Sequence, residues 1–147
     1  RLALGLGCAG AVEEEHAAEA CHVGVLAHIV HLHAEAAAAL VELCGGTPKQ
    51  SEHACAIALK NILGLVCDPV AGLVEIPCIK RNAGGVGNAL VAAELALAGV
   101  ESHIPADEVI VAMKKVGDMM SPTLKETAEA GLATTPAGKK LCEKVFG

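Results

Sequence analysis

Tryptophan and tyrosine are absent from this 147-residue chain, and phenylalanine occurs once. A core without rings has to be assembled from Ala, Leu, Val and Ile. Small side chains at a contact bring helix axes close together, so the composition favours packed helices over a twisted sheet. Positive charge is also scarce: 11 Lys and Arg stand against 17 Asp and Glu, for a net charge of −6. With no basic stripe either, nucleic acid is not expected as a partner. A clean membrane span is missing too. The most apolar stretch, 17–44, carries Glu19, His22, His28, His31, His33, Glu35 and Glu42. A bilayer would not tolerate that many polar groups, so the stretch reads as a helix inside a soluble protein with no membrane partner. No dinucleotide fingerprint, P-loop, Ser-His-Asp arrangement or H-E-x-x-H pattern occurs.

What the chain does have is apolar bulk, 53% of its residues, and enough length for one compact domain over 1–147. Its seven cysteines are an odd number, which fits a disulfide framework poorly. Residues 1–12 are apolar behind Arg1 and imitate a signal segment, but no cleavage pattern follows. Reduced thiols in the cytoplasm are the expectation.

Residues 11–44 lack proline and are rich in helix formers, so they predict one long helix or two stacked ones, ending at Gly45-Gly46. Thr47-Pro48-Lys49-Gln50 is a capping-box start, and the helix it opens runs to about Leu63 before Gly64. Further helices are predicted over 86–98, closed by Gly99, from Pro105 to Gly117, near 122–129, and from Pro136 to Val145. The fold class is therefore all-α, a compact bundle of about six helices.

Between the second and third of these the pattern breaks. From Leu65 to Gly87, prolines and glycines crowd a segment that is nevertheless apolar, and an apolar loop is a buried loop, usually built to hold something. Within it Cys67 and Cys78 lie eleven residues apart, in Cys67-Asp68-Pro69-Val70-Ala71-Gly72-Leu73-Val74-Glu75-Ile76-Pro77-Cys78. Iron–sulfur clusters are held by thiolates from segments that fold around a compact inorganic core. Two cysteines at such a distance are as readily explained as small core residues. Chemistry alone leaves both readings open.

The strings around this loop resemble the alpha chain of bacterial iron–sulfur L-serine dehydratases. The matching pieces are LGLVCDPVAGLVEIPCIKRNA (63–83), GGTPKQSEHACAIAL (45–59), GDMMSPTLKETAEAGLA (117–133) and TPAGKKL (135–141). The resemblance implies the C-terminal portion of an alpha-chain catalytic domain, about its back half. It further implies a lyase that converts L-serine to pyruvate and ammonia, a [4Fe–4S] cluster on three cysteines, and a beta chain or domain as partner in an oligomer. Cys67 and Cys78 are, by resemblance, two of the three ligands. The third normally precedes the Ala-rich helix in a Gly-Cys-Gln-type motif. At that distance this sequence has Val25, and the nearest thiol is Cys21. Cys8, behind Gly7, has a suitable neighbour at the wrong distance. Residues 1–40 are in this sense atypical of the family. Cys21 is the candidate third ligand, Arg81 and Asn82 are candidates for the substrate carboxylate or equally for bracing the loop, and the catalytic base is not identified.

Other residues carry weaker expectations. Cys44 and Cys55 read as packing residues, Cys142 as a surface thiol, and Asp68 as an Asx-turn acceptor. His53 falls within a family-like string and could support the site from behind. Gly84-Gly85-Val86-Gly87 could open a helix and cradle an anion, though a tight turn is the default. Two alternatives stand beside the enzyme: a degenerate, non-catalytic helical packing or oligomerisation module, and a helical metal-binding protein using His28, His31, Glu35 and His22.

Overall fold

The structure, a computed structural model, describes residues 25–73 and 75–147, with side chains from Leu32 onward. Five α-helices carry the described part: α1 (Val25–Leu43), α2 (Pro48–Lys60), α3 (Lys80–Leu97), α4 (Ala106–Met119) and α5 (Pro136–Phe146). Among the described residues there is no strand, only an isolated bridge between Cys67 and Lys125. The all-α expectation holds. One of the expected helices is absent: 122–129 holds a 3₁₀ turn at Pro122–Leu124 and irregular chain after it. No described helix is long and apolar enough to cross a membrane.

The turn from α1 to α2 follows from its residues. Gly45 takes φ +78, a conformation that costs glycine little, and Gly46 N–H donates to Val41 O at 2.9 Å to close the helix end. Thr47 and Gln50 then form the capping box, with Gln50 N–H on Thr47 Oγ1 (3.3 Å) and Thr47 N–H on Gln50 Oε1 (2.9 Å). The same Gln50 reaches across with Nε2 to Ala96 O (3.1 Å) and Leu97 O (3.3 Å) at the end of α3. At the other end of α2, Asn61 bonds Asn88, whose Nδ2 donates to Ala58 O (2.9 Å). Two side-chain clamps thus fix α2 and α3 as an antiparallel pair.

Between the clamps the contact is almost wholly alanine. Ala37 and Val41 of α1, Ala54 and Ala58 of α2, and Ala89, Ala92, Ala93 and Ala96 of α3 form one buried cluster. A second cluster joins α1 and α2 to α4 through Ala34, Ala38, Cys55, Leu59, Val109 and Ile110. Leu59, Val41 and Cys55 are among the largest fully buried side chains. With alanine methyl groups as most of the spacers between α1, α2 and α3 the helices interlock closely, and an added methylene there has little room. His33 of α1 sits over α3, where a Cβ on Gly85 would collide with its imidazole ring.

Candidate functional site

The site grows from the segment that leaves α2 and re-enters the bundle at α3. It turns through a 3₁₀ element at Val70–Gly72, where Ala71 (φ 57) and Gly72 (φ 69) are both left-handed. It then enters a π-type turn at Glu75–Ile79, which contains a cis Ile76–Pro77 peptide and runs directly into α3. Cys67 and Cys78, at its two ends, are 7% and 3% exposed, and both thiols are free. Burial pushes the Cys67 thiol up. The neighbouring Cys78 thiolate and the Glu126 carboxylate add to that rise, while the Glu126 backbone N–H and the Arg81 guanidinium oppose it.

The expected buried loop is buried only at Cys67–Val70 and Pro77-Cys78, while Leu73, Ile76 and Ile79 between and beyond them are exposed. The backbone of the buried part needs partners, and these come from two directions. Cys67 N–H donates to Leu124 O (2.9 Å) and Cys67 O accepts from Glu126 N–H (3.0 Å), which ties the first cysteine to the irregular segment after α4. From α3, Arg81 Nη1 donates to Val66 O at 2.7 Å. The same nitrogen lies 2.9 Å from Asp68 Oδ1. Its N–H bonds are not aimed at that oxygen, so the contact is an ion pair rather than a hydrogen bond. Asp68 Oδ2 accepts from Leu132 N–H at 2.7 Å. Asp68 is thus not an Asx-turn acceptor: its carboxylate reaches a backbone amide far along the chain. Helix α5 packs on the Val70–Gly72 turn, capped at its start by Thr135, whose Oγ1 accepts from Gly138 N–H at 3.1 Å.

Of the candidate site residues, Cys78 and Arg81 lie near enough to Cys67 for their charges to act on its thiol. Asn82 follows Arg81 on α3 and is exposed. Cys21 lies outside the described residues, as do His22 and the side chains of His28 and His31. Among the described residues, no group of three or more His, Cys, Asp or Glu is gathered for a metal. Cys44 is exposed just past α1 and Cys142 is half-buried on α5. Cys55 is buried in α2 and disulfide-bonded, which corrects its reading as a plain packing residue and the expectation of reduced thiols throughout. His53 is not at the cysteine loop: its Nδ1 accepts from Ser102 N–H (3.3 Å) in the α3–α4 connection, where Lys60 Nζ also donates to Ser102 O (2.8 Å). The glycines 84, 85 and 87 lie inside α3, not at its opening, so their amides are spent on the helix and cradle no anion. The residues that sequence reasoning missed are Gly131 and Leu132, which work through backbone. Their only sequence signal is an irregular, Gly-containing stretch inside a family-like string.

Comparison with known proteins then bears on this loop. The family model described as serine dehydratase alpha chain matches residues 3–133, a span that takes in most of the front segment as well as the loop. The probable L-serine dehydratase alpha chain of Bacillus subtilis is 63% identical over 112 residues, covering 76% of this chain and 37% of that protein. Its counterpart in Latilactobacillus sakei is 56% identical over 124 residues, covering 84% of this chain and 59% of that protein. The L-serine dehydratase of Mycobacterium tuberculosis is 44% identical over 139 residues, covering 93% of this chain and 30% of that protein. This chain therefore spans less than two thirds of the length of each of these relatives.

Proposed function

The chain belongs to the serine dehydratase alpha-chain family, and on that premise we propose that it is the cluster-holding portion of an iron–sulfur L-serine dehydratase. The observation that carries the proposal is the pair of buried free thiols, Cys67 and Cys78, at the two ends of one bent apolar segment. Their chemistry fits the group. Thiolates are the donors such clusters take, both cysteines are withdrawn from water, and Arg81 supplies a nearby positive charge against their accumulated negative one. We assign Cys67 and Cys78 as two ligands of a [4Fe–4S] cluster and Cys21 as the third. When bound, the cluster would supply a Lewis-acidic iron for the hydroxyl that leaves L-serine.

The chain's own residues do the rest. The Arg81 nitrogen that braces Val66 and Asp68 leaves other guanidinium donors for a carboxylate, and exposed Asn82 on the next turn position offers an amide to the same substrate. Loss of the Cα proton and the hydroxyl from L-serine, followed by hydrolysis, yields pyruvate and ammonia. In this reading the remaining substrate contacts come from a beta chain or domain, the assembly is an oligomer, and its compartment is the cytoplasm.

The test is anaerobic reconstitution of the full chain with ferrous iron and sulfide. Broad visible absorption is expected in the parent and is lost in Cys67→Ser and Cys78→Ser. With the beta chain of a relative added, pyruvate should form from L-serine. Iron uptake equal in the parent and in the doubly substituted chain would reduce the family tie to ancestry, leaving a helical packing module.

A further inference from the structure

We propose that Asp68 is a positioning residue for the Cys67 thiolate, through which the turn at Gly131-Leu132 and the Arg81 guanidinium set where that ligand points; this rests on the cluster reading above. Asp68 is 2% exposed, and a carboxylate that deep is costly unless it is paired and hydrogen-bonded. Here it is both, and its two partners come from separate parts of the fold: Leu132 N–H at 2.7 Å and Arg81 Nη1 at 2.9 Å. Gly131 makes the arrangement rigid. A Cβ there would meet Asp68 Cβ at 2.8 Å and Cγ at 2.9 Å, with Oδ2 closer still, so the glycine backbone is seated directly against the carboxylate.

The consequence falls on the adjacent residue. Cys67 has its own N–H and C=O held by Leu124 and Glu126, and its successor's side chain is pinned on both oxygens. Little freedom remains at Cys67 beyond rotation of the thiol about its side-chain bond. Ligands of a metal group are tuned by the residues that orient them, and loss of such a contact typically weakens metal binding about 10–100-fold. Asp68 occupies that role here without offering an atom to the metal.

The experiment compares the full chain with Asp68→Asn, which keeps an acceptor for Leu132 N–H but removes the charge that holds Arg81. A second variant, Gly131→Ala, displaces the carboxylate without altering it. Val41→Ala, a core change remote from the loop, serves as the control for lost stability alone. Two quantities are read: the rate at which an iron chelator bleaches the reconstituted cluster, and the rate of Cys67 alkylation in cluster-free protein. Both should rise roughly tenfold in the two loop variants and stay near the parent rate in the control. Equal rates in parent and loop variants, or equal acceleration in Val41→Ala, would overturn the positioning role while leaving the cluster intact. A parent chain that forms no cluster at all overturns both the reading and this inference. If Asp68→Asn fails to fold, the Gly131→Ala rates decide alone.

Discussion

Replacing Gly131 with alanine combines two costs that the structure lets one separate. The residue has φ +61, a left-handed conformation that costs a non-glycine residue roughly 1–2 kcal/mol. That part would be shared by Gly45→Ala, since Gly45 has φ +78 and nothing within 4 Å of an added Cβ. At Gly131 the new methyl also lands on Asp68, 2.8 Å from its Cβ and 2.9 Å from its Cγ. The carboxylate cannot yield without giving up the 2.7 Å bond from Leu132 N–H and its place beside Arg81. A hydrogen bond to a charged group is worth about 1.5–3 kcal/mol. The sum is about 2.5–5 kcal/mol for Gly131→Ala against about 1–2 kcal/mol for Gly45→Ala. For a chain of this size that corresponds to a fall in melting temperature of roughly 10 °C against roughly 4 °C. Thermal unfolding followed by far-ultraviolet circular dichroism measures both. A Gly131→Ala loss no larger than that of Gly45→Ala would mean that the Asp68 contact is not holding the loop.

The alanine interface gives a second expectation: Ala92→Leu, at a position with no exposure, should destabilise by about 1–3 kcal/mol or more, read as a lower denaturant midpoint. His33 gives a pH dependence. Burial lowers its pKa from 6.5, so the unfolded chain takes up its proton first and stability should fall as pH drops below about 6.5. That acid-dependent part should be smaller in His33→Met, and an unchanged pH profile would show that the imidazole is not desolvated. Among the free thiols, alkylation mapped by mass spectrometry in cluster-free protein should find exposed Cys44 first and buried Cys67 and Cys78 last, with the raised Cys67 pKa slowing it further. Early labelling of Cys67 would contradict its burial.

Local structure was legible wherever a side chain acts on its own neighbourhood. Thr47 and Gln50 cap α2 through both bonds the pattern implies, and Gly45 ends α1 in the conformation glycine favours. The start of α3 was not legible. Three glycines at 84, 85 and 87 argue against a helix, each costing about 1 kcal/mol relative to alanine. The helix nonetheless begins at Lys80, and the glycine at 85 is explained by His33, which packs over its backbone where any Cβ would collide. A tertiary contact overrides the propensity, and no local rule could have announced it. The predicted helix over 122–129 failed for a related reason. Leu124 O and Glu126 N–H are used by Cys67, and groups committed to a partner across the fold are not free for a helix. The cysteine loop itself stood out through its apolar residues among Pro and Gly, whereas Asp68 was misjudged because its partner is 64 residues away.

These departures share a cause. A segment that turns through 3₁₀ and π-type elements between Cys67 and Cys78 cannot keep the regular bonding of an α-helix. The loop must therefore leave the hydrogen-bonded ladder, and its freed polar groups need partners that no neighbouring residue can supply. Arg81 from the start of α3 meets Val66 and Asp68, while the chain from Leu124 to Leu132 meets Cys67 and Asp68. The segment after α4 stays irregular because a helix there would consume the very groups the loop requires. Irregularity at 65–79 and irregularity at 122–134 are thus two halves of one arrangement, and the alanine-packed helices act as the rigid frame that holds the halves in register.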